Sequence, residues 1–240
     1  MKNKEIFNYL DELIVDPKCE LNYNKDYELL IAVMLSAQTT DKRVNEVTNV
    51  LFNKYDTLEK LANAKIDDII NIIRKIGTFN KKALNIIEIS KSLIKNYNGI
   101  VPNNREYLES LPGVGRKTTN VVLSELYNEQ YIAVDTHIKR VSIRLGFANK
   151  DDDVLTIEKK LTKKLRNYNA KRIHHQLLLF GRYYCKAKNP ECSNCKLKNI
   201  CQKKNFDWNS FLLYCYISCY CFSIIAICYC VWTWCWIHHF

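Results

Sequence analysis

Cys185, Cys192, Cys195 and Cys201 follow the pattern Cys-x6-Cys-x2-Cys-x5-Cys within one lysine-rich stretch, and nothing else constrains the fold so tightly. Four thiols this close in sequence can serve a single metal centre, with the intervening chain wrapped around it as one loop. A structural zinc site usually joins two close Cys or His pairs across a longer insert. Here there is one close pair, Cys192 and Cys195, with single ligands from either side. That arrangement favours a cubane iron–sulfur cluster, while zinc, which takes the same ligands, stays open on ligand type alone. Disulfides are disfavoured, because Met1 to Ile14 carries charges throughout and lacks a signal-peptide core, so a reducing compartment is expected.

Lysine and arginine outnumber aspartate and glutamate by 36 to 25, a net charge of +11. Such an excess attracts polyanions, which points to nucleic acid or an anionic membrane; the plainer alternative is a generic basic surface. At 240 residues the chain can bury one large domain or two small ones. From Asn209 to Phe240 no side chain is formally charged if His238 and His239 are neutral, and six of the eleven cysteines fall there. This segment is long and apolar enough to span a bilayer. It lacks a basic anchor on its far side, and it follows a body rich in Lys, Asn, Ile and Tyr, so a frame-shifted extension is the competing account. Residues 206–240 are expected to lie outside the fold.

Between Asp26 and Tyr184 apolar residues recur at three- and four-residue spacing. Leu29, Leu30, Val33 and Met34 form one stripe, and Ile66, Ile69, Ile70, Ile73 and Ile76 another. Ala83, Ile86, Ile87, Leu93, Ile94 and Tyr97 make a third, and Val154, Ile157, Leu161 and Leu165 a fourth. These are core faces of helices, and alternating strand patterns are missing, so the chain is expected to be all-α. Breaks fall at Gly77, at Gly99-Ile-Val-Pro102 and at Leu111-Pro-Gly-Val-Gly115.

The last break carries chemistry. Pro112 stops one helix, and Gly113 and Gly115 permit a tight turn into another that begins near Lys117. Unhindered amides at that helix start suit a phosphate oxygen, and Arg116 and Lys117 add charge. Two glycines alone would equally make an ordinary helix–turn–helix connection.

Leu-Pro-Gly-Val-Gly-Arg-Lys at 111–117, Ile132-Ala-Val-Asp-Thr-His-Ile-Lys-Arg140, Met34-Leu-Ser-Ala-Gln-Thr-Thr-Asp41 and the cysteine box together resemble endonuclease III, a bifunctional DNA glycosylase family of the helix–hairpin–helix superfamily. The resemblance runs from about Leu21 to Cys201 and excludes the tail. It implies excision of oxidised pyrimidines from double-stranded DNA, cleavage of the abasic strand by β-elimination, and a [4Fe-4S] cluster on Cys185, Cys192, Cys195 and Cys201. Such an enzyme must extrude the nucleotide before C1′ can be reached. A lysine amine then attacks C1′ to form a Schiff base. Lys117 matches that nucleophile, helped by burial and by cations such as Arg116; its plainer role is a phosphate contact. Asp135 matches the family's catalytic carboxylate. On sequence alone it is an N-cap, and the two roles are compatible.

The resemblance also places Gln38 and His137 beside the extruded nucleotide; the residues themselves put Gly113, Gly115 and Arg116 on phosphate, and Lys186 and Lys188, between the first two cysteines, on the DNA backbone, with Glu191 a mildly unfavourable neighbour. At one expected wedge position the chain departs: Thr78 stands where a larger apolar residue is common, so Phe79 or a weaker contact must serve. The expected architecture is a six-helix barrel over residues 21–129, carrying the helix–hairpin–helix and Lys117. Residues 1–20 and 130–205 form a cluster domain carrying Asp135. A monomer in the cytoplasm and nucleoid is expected, or in nucleus or mitochondrion in a eukaryote, with no membrane contact unless the tail is an anchor. The rival enzyme is a monofunctional, adenine-glycosylase-like protein, which would lack a lysine at 117. A DNA-binding module without catalysis is the rival of another class.

Overall fold

The periodic stripes become eleven α-helices in the computed structural model, which describes residues 2–202. The apolar segment 206–240, with the anchor and frame-shift readings attached to it, lies outside the described residues, as do residues 203–205. The helices are α1 (Lys2–Leu13), α2 (Asp26–Leu35), α3 (Asp41–Lys54), α4 (Leu58–Ala62), α5 (Ile66–Ile73), α6 (Phe79–Tyr97), α7 (Arg105–Ser110), α8 (Arg116–Tyr127), α9 (Thr136–Leu145), α10 (Val154–Lys164) and α11 (Ala170–Leu179). A π-helical turn, Phe180–Tyr184, continues α11 towards the cysteines. No strand occurs among the described residues.

Their apolar faces close on two cores. The first is built on α2, whose Leu29 to Leu35 are all buried, so this helix has no solvent face and serves as an axis. Val44, Val47 and Leu51 of α3, Ile69 and Ile73 of α5, Ile86 and Leu93 of α6, and Val122 and Leu123 of α8 pack around it. The second core brings Ile6, Phe7 and Leu10 of α1 against Ile138, Val141 and Leu145 of α9, Ile157 and Leu161 of α10, and Ile173 and Leu177 of α11. Three stripe residues stay outside these cores: Ile66 and Val154 are each the first residue of a helix and are exposed, and half-buried Tyr97 packs against Tyr107.

The breaks are satisfied locally. Asn98 and Gly99 turn left-handed after α6, and the Val101 amide donates to Asp26 Oδ2 at 2.7 Å, which ties that loop to the start of α2. Three polar struts cross between the cores. Glu125 of α8 accepts from His175 Nε2 at 2.5 Å and from Lys171 Nζ at 3.1 Å, both on α11. Burial pushes this carboxyl up, but the hydrogen bonds from His175 and Lys171 outweigh it and hold the group below the ordinary range. Arg116 meets Glu158 of α10 through two bonds, at 3.1 and 2.7 Å. Arg182 of the π-helical turn bonds Asp41 at 2.5 Å and also Glu20.

Candidate functional site

The hairpin between α7 and α8 is shaped by its glycines. Gly113 has φ +76, and a Cβ there would lie 2.3 Å from Asn85 Nδ2, so both conformation and space exclude a side chain. Gly115 differs: it is extended, caps α8 without a side-chain bond, and faces open space. The first amides of α8 are therefore left for an external acceptor. Lys117, one residue inside the helix, is exposed.

Asp135 is the N-cap of α9, its Oδ1 accepting from the Ile138 amide at 2.8 Å. The capping role read from sequence is real, and the same half-buried carboxylate reaches the cleft. Lys117, Asp135, His137 and Gln38 all line one cleft of about 1430 Å³. An adjoining cavity of about 170 Å³ shares Lys117, Asp135 and Gln38 with it and is completed by Leu21, Val33, Val121, Ala133, Leu178, His174 and His175.

Gln38 and His137 are set by residues that local patterns did not reveal. Buried Lys82 donates to Leu35 O at 3.0 Å and Ala37 O at 2.8 Å, closing the turn after α2. Gln38 leaves that turn with φ 57, a left-handed conformation for a non-glycine residue. His137 Nδ1 lies 3.2 Å from Arg140 Nη2, and Arg140 also donates to Gly181 O at 2.7 Å. Gly181 has to be small, because a Cβ there would fall 2.9 Å from His137 Cβ.

Other expected residues lie elsewhere. Arg116 is paired with Glu158, which braces the hairpin against the second core while half of the arginine side chain stays exposed. Gly113, Gly115, Lys186 and Lys188 are exposed outside the cleft lining, and Lys186 pairs with Glu191 at 3.1 Å, a half-exposed contact of little energetic weight. Thr78 is exposed in a left-handed turn, and Phe79 packs half-buried against the first core, so Phe79 does not stand free as a wedge.

The cysteine loop is pinned to α9. Arg144 Nη1 donates to Cys185 O at 3.1 Å and Lys186 O at 2.8 Å and lies 3.2 Å from Cys185 Sγ, while Arg140 Nε donates to Cys185 O at 3.1 Å. Leu197 anchors the far side in the second core. All four cysteines are half-buried. Burial pushes the Cys195 thiol up, and the neighbouring Cys185 and Cys201 thiols add to this. Among the described residues no three Cys, His, Asp or Glu side chains are drawn close enough to hold a metal ion. The donor set nevertheless fits a thiolate-ligated centre: the thiols share one loop, feel one another electrostatically, and have an arginine donor at Cys185.

No helix among the described residues is long and apolar enough to cross a membrane.

Residues 31–167 match the family described as HhH-GPD superfamily base excision DNA repair protein. Endonuclease III of Haemophilus influenzae is 47% identical over 203 residues, covering 85% of this chain and 96% of its own length. Endonuclease III of Bacillus subtilis is 43% identical, covering 81% and 89%. A solved structure of a trapped covalent intermediate between endonuclease III and DNA, an estranged-adenine complex, is similar with a TM-score of 0.78 at 44% identity, covering 84% of this chain and 96% of that one. A thermostable thymine-DNA glycosylase shares the fold, with a TM-score of 0.74 at 22% identity over 84% of this chain and 95% of the other.

Proposed function

The chain belongs to the HhH-GPD superfamily of base excision DNA repair proteins, and from that premise we propose how its residues divide the work. It is a DNA glycosylase with AP lyase activity in base-excision repair. The observation that carries the residue assignment is the presence of Lys117 and Asp135 in the lining of one cavity.

Oxidised pyrimidines are the proposed substrates, extruded from duplex DNA into the cleft. The neutral Lys117 amine attacks C1′, and the C1′–N bond breaks with its electron pair leaving on the base, which takes up a proton. Opening of the sugar ring gives the Schiff base. Loss of a C2′ proton then drives rupture of the C3′–O bond, and the 3′ phosphate departs. Asp135, fixed by its bond to the Ile138 amide, stabilises positive charge developing on the sugar and assists the proton transfers. Gln38 and His137 fill the gap left by the extruded nucleotide. The α8 amides beyond Gly115 hold a phosphate, and Lys186 and Lys188 meet the DNA backbone electrostatically. The chain acts as a monomer in the compartment of the chromosome.

A [4Fe-4S] cluster is proposed on Cys185, Cys192, Cys195 and Cys201. When bound, it would cross-link the loop that Arg140 and Arg144 already hold against α9. Purified protein is expected to be brown, with close to four irons per chain, by visible absorbance and metal analysis. One zinc and no iron would remove the cluster. For the activity, a duplex with a single thymine glycol should yield both free base and a nicked strand. Base release with no cleavage of the abasic product would instead mark the monofunctional branch.

A further inference from the structure

The cavity beside Lys117 has two kinds of wall. Leu21, Val33, Val121, Ala133 and Leu178 make an apolar part, while the polar part includes Gln38, Asp41, Arg182 and, from α11, His174 and His175. His175 is committed through Nε2 to Glu125 at 2.5 Å. His174 is 6% exposed, and its Nδ1 has no hydrogen-bond partner among the described residues, as is also true of His175 Nδ1. Buried polar atoms are normally paired, so an imidazole left uncommitted in a cavity wall calls for a reason.

We propose that His174 is a specificity-determining residue that hydrogen-bonds the polar edge of the extruded base, an inference that rests on the glycosylase function above. A thymine oxidised across its 5,6-bond keeps the C2 and C4 carbonyls and the N3–H between them. The apolar part suits its ring, and among the polar groups of the lining the His174 imidazole is buried and uncommitted, which suits that edge. Burial pulls the His174 imidazole down to about 3, so the ring is neutral and carries one donor and one acceptor. A neutral ring can answer either a carbonyl or the N3–H, whereas a histidinium could only donate. His174 touches neither Lys117's bond-making nor the abasic sugar in this scheme, so its effect is confined to the step in which a base is present.

Two single-turnover measurements separate the possibilities. One follows base release from a duplex containing thymine glycol; the other follows borohydride trapping on the same duplex with a preformed abasic site. His174→Leu should lower base release about tenfold relative to trapping, the loss expected for one hydrogen bond. His174→Gln, which restores a polar group, should recover part of it. Thermal midpoints should stay near wild type or rise, since Leu replaces an unpartnered polar group. Equal loss of release and trapping, unchanged release, or a Gln variant no better than Leu would each overturn the assignment. Failure of the unmutated protein to trap on abasic DNA would strike the lyase function itself and is read separately from the variants.

Discussion

Lys117→Gln is expected to abolish both strand cleavage and the borohydride-reducible protein–DNA adduct, while duplex affinity stays close to wild type. The Schiff base needs a neutral amine, and an amide of similar reach cannot supply one. Lys117 is exposed and contributes nothing to either core, so its replacement leaves the fold intact. Affinity survives because the phosphate site is made by the first amides of α8 and by the open space over Gly115, neither of which the substitution alters. Gel detection of the reduced adduct, beside a binding titration at fixed salt, checks both halves. Trapping that persists on abasic DNA would identify another amine as nucleophile. Lys42 and Lys139 would be the next suspects, since both line the cleft, although Lys139 Nζ is engaged with Asp152 O at 3.0 Å.

Asp135→Asn separates two roles that one carboxylate performs. Asparagine caps a helix about as well as aspartate, so the bond to the Ile138 amide should persist and the thermal midpoint should barely move. The negative charge is lost, and turnover should fall by roughly 10² or more. Asp135→Ala removes cap and charge together, and should add about 1 kcal/mol of destabilisation to the same catalytic loss. An Asn variant with unimpaired turnover would reduce Asp135 to a cap.

What was legible in the sequence is what short-range spacing encodes. The Asp135 cap joins residues three apart, and the hairpin's glycines announce their turn, so both were readable. The stripe at Leu29, Leu30, Val33 and Met34 was read as one face of a helix, yet Ile31, Ala32 and Leu35 are buried too, because α2 is enclosed on every side. The pairing of Arg116 with Glu158 is not legible in the sequence, because the partners lie 42 positions apart. Lys82 supports the Gln38 turn across a separation of 47 and 45 positions, and Gly181 meets His137 from a distant turn. Such pairings depend on tertiary approach, which periodicity does not carry. Phe79, next to Thr78, packs half-buried against the first core, a tertiary contact that adjacency in sequence does not carry.

The two cores also differ in when they can form. Every buried member of the first lies between Leu21 and Leu123, so it can close on a nascent chain long before synthesis ends. The second needs Ile6, Phe7 and Leu10 together with Ile173, Leu177 and Leu197, which emerge last. Through most of translation, then, α1 carries an apolar face whose partners do not yet exist. Closing so long a loop is slow compared with local helix pairing. Arrest before α9 leaves that face wholly uncovered, and arrest before α11 leaves it partly so, which exposes apolar surface to aggregation in an unfinished chain.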